Sequence, residues 1–266
     1  MTREPNTQYI LSLSYGKDSL ACLEAIRILD LPLDRIVHAE VWATDAIPAD
    51  SPSMVEFKKK ADSLILKRYG IAVEHICAVD RGGRKLTFEK QFYTTRYCKK
   101  LKGECIYGFP MIKGPWCNSK LKLAAISRIE QGSNINTVHY LGIAADEPIR
   151  IKRHTHPGVV LPLVLAGWCE AFCWQLCKEL DLLSPIYTDS ARGGCWFCYN
   201  QGVDQLRLLR RNYPNLWTLL LKWDNDSPVL FHPDGHTVRH FDLRFQAEDE
   251  GHVPTDRTFR WKMLDI

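Results

Sequence analysis

With 266 residues, 45% of them hydrophobic and 25% charged, the chain has the composition of a soluble globular protein of one large domain, or one domain plus an extension, and not of a low-complexity polymer. No apolar run reaches the ~18 residues a membrane span needs, and the opening MTREPNTQYI lacks the long apolar core of a signal peptide, so a cytoplasmic protein with no membrane partner is expected. The formal net charge is only +4 but unevenly spread: between Arg81 and Lys122 eleven Lys and Arg stand against two Glu, which leaves the rest of the chain net acidic.

In chain order, YILSLS (9–14) reads as a short apolar strand, and DSLACLEAIRIL (18–29) has apolar residues at helical spacing. RIVHAEVWAT (35–44) is strand-like. SMVEFKKKADSLILKRYG (53–70) is an amphipathic helix stopped by a glycine, and VEHICAV (73–79) is again a strand. This alternation predicts a mostly parallel sheet covered by helices. After the basic stretch, NSKLKLAAISRIEQG (118–132) predicts a helix with Asn118 or Ser119 as cap and Gly132 as stop, NTVHYLGIA (136–144) a strand, and WCEAFCWQLCKELDLL (168–183) a further helix. From about residue 190 turns at ARGG, DNDSP and HPDGH change the pattern. The expected organisation is an α/β domain over 1–190 with a basic insertion at 81–122, and a C-terminal subdomain over 191–266.

The junction SYGKDS (14–19) lies between the first strand and the first helix. At the carboxyl end of a parallel strand, a tight turn lets backbone N–H groups and a helix N-terminus converge on an anion. Gly16 permits close approach, Lys17 supplies a point charge, and Ser14 and Ser19 offer hydroxyl donors. Asp18 is out of place beside a phosphate unless it caps the helix or holds magnesium. The upstream glycine of a Walker A loop is missing.

SYGKDS resembles the PP-loop, usually SGGKDS, of the adenine-nucleotide ATP pyrophosphatases and the phosphoadenosine phosphosulfate reductase family, with Tyr15 for a glycine. GPWCNSKLK (114–122), LGIAADEPIR (141–150), PLVLAGWCEAFCWQL and RGGCWFC (192–198) resemble four further elements of that family in the same order, covering roughly residues 8 to 200. The resemblance implies the adenine nucleotide alpha hydrolase-like fold, with Ser14, Tyr15, Gly16, Lys17, Asp18 and Ser19 around the nucleotide phosphates. It places Asp45 by the adenosine or a metal ion, and Lys120, Lys122 and Arg150 in the cleft, with Lys17, Lys120 and Lys122 as the catalytic cations. On the residues alone, the two lysines also suit a solvated helix face, and Arg150 an ion pair with Asp146 or Glu147.

Ten cysteines in a chain of this kind point to thiols or metal ligands before disulfides. The Cys195-x-x-Cys198 turn suits two thiolates sharing one metal or cluster. Cys117 is a third candidate, and Cys177, or less plainly Cys105, a fourth. The family precedent implies a [4Fe-4S] cluster; zinc and reduced structural thiols remain alternatives. Cys169, Cys173 and Cys177 form one helical stripe, for which core packing is the default. His232, His236 and His240 have helical spacing broken by Pro233, Asp234 and Gly235.

No cysteine follows Cys198, and the adjacent Cys-Cys pair of cluster-bearing reductases is missing, since Trp116 precedes Cys117. The reading expected is therefore an activating enzyme that binds ATP with Mg2+, adenylates an acceptor and releases pyrophosphate, with sulfur transfer as in the PP-loop component of DNA phosphorothioation systems. The aromatics among the basic residues of 81–122 suit a nucleic-acid acceptor, and the same residues equally suit a solvated basic insertion. A sulfur or electron donor protein would be a further partner. A sulfonucleotide reductase releasing sulfite and a non-catalytic nucleotide-binding protein are the alternatives.

Overall fold

The computed structural model describes residues 2–98, 102–110, 115–130, 135–189 and 194–264. The first half runs β1 (Thr7–Ser12), α1 (Lys17–Ile28), β2 (Arg35–Ala39), α2 (Pro52–Tyr69), β3 (Val73–Ile76), α3 (Phe88–Phe92), β4 (Thr95–Cys98) and β5 (Gly103–Ile106). A π-helical turn (Asn118–Leu123) then leads into α4 (Ala124–Glu130), β6 (Asn136–Tyr140), α5 (Pro148–His154), β7 (Val159–Val160), α6 (Pro162–Leu165), α7 (Glu170–Glu179) and α8 (Ile186–Asp189). Three longer helices follow, α9 (Val203–Asn212), α10 (Pro214–Asp226) and α11 (Val238–Asp249). None of the described helices is long and apolar enough to cross a membrane. The expected helix over 118–132 is thus a π turn followed by an α-helix, and its expected stop, Gly132, lies outside the described residues.

The chain divides into two compact units. The first comprises residues 1–86 and 118–193, the second 87–117 and 194–266. Most of the basic segment, residues 87–117, interrupts the sequence of the first unit and groups with residues 194–266.

Unit 1 is α/β. Its five-stranded sheet has the order β3-β2-β1-β6-β7 with every pairing parallel. β1 is central, so its side chains are buried on both faces: Tyr9, Ile10 and Leu11 are at most 1% exposed. A two-sided apolar run of this kind is what a parallel strand requires, and each such side chain stabilises the fold by about 1.5–3 kcal/mol. α1 packs on the sheet through Leu20, Cys22, Leu23 and Ile26, and against α7 through the Cys173 and Cys177 stripe, in one continuous core. α2 ends at Gly70, whose φ of 72° is the left-handed cap that the sequence placed there. Connections pass from β1 to β2 and β3 on one side, then return to β6 on the other. The strand order therefore reverses between β1 and β6, and their carboxyl ends frame a crevice.

Unit 2 holds an antiparallel β4–β5 hairpin and an aromatic core. Phe88 sits 4.2 Å from Phe197, 5.0 Å from Trp116 and 5.1 Å from Trp223 between ring centroids, and Trp223 stacks on Trp196. Phe92, Phe109 and Phe231 extend the cluster, and the Trp223 indole donates to Glu89. This corrects one expectation about the basic segment. Phe88, Phe92, Phe109 and Trp116 are buried and unavailable to stack on bases; of the seven aromatics between 88 and 116, Tyr97 is the one fully exposed. The C-terminal histidines also serve structure. His232 bonds Asp234, His236 stacks on Trp261 at 3.8 Å, and Thr237 caps α11 by accepting from the His240 amide.

Candidate functional site

The loop 13–19 leaves the carboxyl end of β1 at the crevice. Leu13 still donates to Val37, then the chain turns and α1 begins with the Leu20 amide donating to Gly16. Ser19 closes the turn from within: its buried hydroxyl donates to the Gly16 carbonyl and accepts from the Ser14 amide and the Ser14 hydroxyl. Of the two serines expected to face a ligand, only Ser14 is exposed, and Ser19 holds the loop.

The residue in the left-handed region is Tyr15, at φ 58°, while Gly16 is extended at φ −77°. A Cβ on Gly16 would meet nothing closer than 3.4 Å. The position that the backbone would reserve for glycine is therefore occupied by tyrosine, at a cost of about 1–2 kcal/mol. That cost is offset by burial: Tyr15 is 0% exposed, and its hydroxyl donates to Asp62 and lies 3.1 Å from His75 Nε2.

A polar network surrounds the Tyr15 ring. His75 Nε2 is 2.9 Å from Asp62, and Nδ1 is 3.9 Å from Glu40. His38 packs edge-on at 4.8 Å, and the Lys58 ammonium lies 5.2 Å from the ring centre. His38 Nδ1 faces the Leu13 carbonyl, which can only accept, so that nitrogen carries the proton and Nε2 accepts from Lys58, itself paired with Asp50. Burial, then the Lys58 charge, push His38 down to about 4, so it stays neutral. Asp62 and Glu40 lift His75 to about 9. The sign follows from linkage: stabilisation by charged His75 is complete below its unfolded pKa of about 6.5 and is lost as pH rises through 9. The stability difference between the wild type and His75→Gln, followed by denaturant melts from pH 6 to 10, is therefore expected to shrink as pH rises. A constant difference would refute it.

The opposite wall comes from β6 and α7. After β6, Gly142 packs against the start of α1: a Cβ there would lie 2.6 Å from Ser19 Cα and 2.7 Å from the Asp18 carbonyl group. The Ala144 amide donates to Glu147, and the Glu170 amide at the head of α7 donates to Asp146, which fixes both acidic segments beside the loop. Carboxylate oxygens of Asp18, Glu147 and Glu170 lie within 4.8 Å of one another. The Lys17 ammonium is 2.9 Å from Asp18 and from Glu170. Burial works against the Lys17 charge, but the bonds to Glu170 and Asp18 outweigh it and hold its pKa above the ordinary value. Burial raises that of Asp18 despite Lys17. Asp18 bonds Lys17 and makes no cap bond to α1. Above the helix start, the Lys17 amide donates to the Tyr187 hydroxyl at 3.0 Å.

The other expected residues are more scattered. Asp45 is exposed on a turn after β2, where its carbonyl accepts from Lys85, whose ammonium lies 3.2 Å from the centre of the Trp42 ring. Lys120 and Lys122 are exposed on the π-helical turn, the kind of helix defect common at functional sites. Arg150 is half-exposed and paired with both oxygens of Glu147, the ion pair that sequence spacing permits.

Cys177 belongs to unit 1, where its buried thiol donates to the Lys17 carbonyl and burial pushes it up to about 12. Cys117, Cys195 and Cys198 belong to unit 2 and are half-buried, with the Cys198 amide donating to the Cys195 carbonyl across the turn. Cys105 lies on β5, beside Cys98 of β4. Sequence reasoning missed Tyr187, Glu170 and the role of Gly142. The first two carry no local signal, and Gly142 could have been suspected as a glycine at a strand end. No family model, curated protein or solved structure matches the chain.

Proposed function

We propose that unit 1 is a PP-loop nucleotide site that binds ATP and transfers its adenylyl group to an acceptor. The observation that carries this reading is the loop 14–19 at the carboxyl end of β1, beside the strand-order reversal. There Lys17 opens a twelve-residue helix, its amide at the helix N-terminus and its ammonium held on Asp18 and Glu170. An acceptor oxygen attacks the α-phosphorus, the bond to the bridging oxygen breaks, and pyrophosphate leaves with the displaced electron pair. The amides and Lys17 offset the charge that builds on the leaving group. Ser14 is the hydroxyl open to the phosphates, and Lys120, Lys122 and Arg150 are the further cations the resemblance assigns. Asp18, Glu147 and Glu170, whose oxygens here accept from Lys17 and Arg150, are the residues that would hold magnesium, which when bound would supply Lewis-acid charge for the leaving pyrophosphate. The test is ATP–pyrophosphate exchange with and without Mg2+. Exchange supports adenylyl transfer, and binding without exchange in the presence of candidate acceptors reduces the protein to a nucleotide binder.

The Tyr187 hydroxyl occupies the place of an anion oxygen at the Lys17 amide. Tyr187→Phe is accordingly expected to tighten pyrophosphate binding by up to about tenfold in titration calorimetry, because the ligand no longer displaces an internal partner. Weaker binding would assign the hydroxyl to the ligand.

For a thiolate-held metal, the donors are Cys117, Cys195 and Cys198 in unit 2, with Cys177 in unit 1 held as a buried thiol. Zinc needs its sulfurs about 3.8 Å apart, and no three thiols among the described residues lie within 4.8 Å of one another. As placed, they do not fit zinc, and no step is derived through a metal or cluster there. Iron and sulfide analysis of anaerobically purified protein decides the cluster. Iron and sulfide that are lost in Cys195→Ala/Cys198→Ala support it, and metal-free wild type removes it.

A further inference from the structure

The nucleotide reading leaves unexplained why the one left-handed position of the phosphate loop is a tyrosine and why so many charged groups gather behind it. The Tyr15 side chain points away from the helix N-terminus into a pocket formed by β2, β3 and α2. Its hydroxyl meets Asp62 of α2 and His75 of β3, its ring edge meets His38 of β2, and Lys58 of α2 approaches the ring. Glu40 and Asp50 complete the set of charges facing it. A glycine would take the same backbone angle without strain but would leave the turn free to sample others. The anchored phenol ties the turn to α2 and to the edge strand β3, and the amides that follow inherit that rigidity.

We infer that Tyr15 is a positioning residue for the nucleotide site: the Asp62–His75 clamp on its hydroxyl fixes the left-handed turn that aims the Gly16 and Lys17 amides at the phosphates. The inference rests on the nucleotide reading and goes beyond it, because it assigns phosphate affinity to three residues that never touch the ligand. It also explains the departure from the usual loop sequence, since the clamp replaces what a second glycine and tight packing would otherwise supply. Rigid donors bind better than mobile ones because less freedom is lost on binding.

The test is equilibrium binding of MgATP to the full chain, for the wild type, Tyr15→Phe, Asp62→Ala and the double variant, with thermal unfolding followed on the same samples. Each single variant is expected to weaken MgATP binding by about tenfold, and the double variant by little more than the worse single one, because both remove the same tether. Tyr15→Gly separates backbone angle from tether: it keeps the angle and is expected to bind MgATP as weakly as Tyr15→Phe. Lower unfolding midpoints with unchanged affinity would make the clamp merely structural and overturn the inference, as would wild-type affinity in Tyr15→Gly. Should Tyr15→Phe fail to fold, Asp62→Leu keeps the size while removing the acceptor for the phenol. A loss of threefold or more there supports the tether, and no change overturns it. A wild type that binds neither MgATP nor pyrophosphate overturns the nucleotide reading itself, a result distinct from binding that the variants leave untouched.

Discussion

Lys17→Met is expected to lower the rate of ATP–pyrophosphate exchange by about 10²–10³-fold, the loss typical of removing one preorganised charge from a developing anion. The fold is expected to survive. Lys17 Nζ is the cation between Asp18 and Glu170, so its removal drives the already raised Asp18 pKa further up, while Arg150 still holds both oxygens of Glu147. Exchange at pH 6 and pH 8, with circular dichroism on the same samples, checks both halves. Exchange within a factor of three of wild type would remove Lys17 from the reaction.

Gly142→Ala carries the second large effect. The new methyl group meets the backbone of Asp18 and Ser19 inside 3 Å, and backbone in the first turn of a helix cannot swing aside as a long side chain could. Overpacking of this kind costs about 1–3 kcal/mol, which for a chain of this size lowers the melting temperature by roughly 2–12 °C. Because the shifted atoms belong to the loop proposed to hold the phosphates, pyrophosphate affinity should fall with stability. A variant that melts and binds like the wild type would show that β6 can recede without disturbing α1.

The β1–loop–α1 junction was legible in the sequence because the apolar period changes there from strand to helix within a few residues, and the polar residues between can only be a turn. The parallel sheet followed from the alternation of such segments. What the residues did not disclose was set by partners far along the chain. Glu170 and Tyr187 reach Lys17 across more than 150 residues, and nothing near either marks it. Phe88, Phe92, Phe109 and Trp116 sit among lysines and arginines, so local composition suggested a binding face. Their burial depends on Phe197, Trp223 and Phe231, which the local pattern cannot reveal. Tyr15 was hidden for the opposite reason: a left-handed tyrosine contradicts local preference, and only the Asp62–His75 clamp accounts for it.

The discontinuous make-up of unit 2 bears on how the chain is made. Its first segment, ending at Cys117, leaves the ribosome long before residue 194 does. At about 5–20 residues per second, the intervening stretch occupies several seconds, during which four large aromatic side chains lack the core that will cover them. Nascent chains stalled near residue 180 should therefore expose a sticky aromatic segment to chaperones, and release from them should await synthesis of α10, which delivers Trp223.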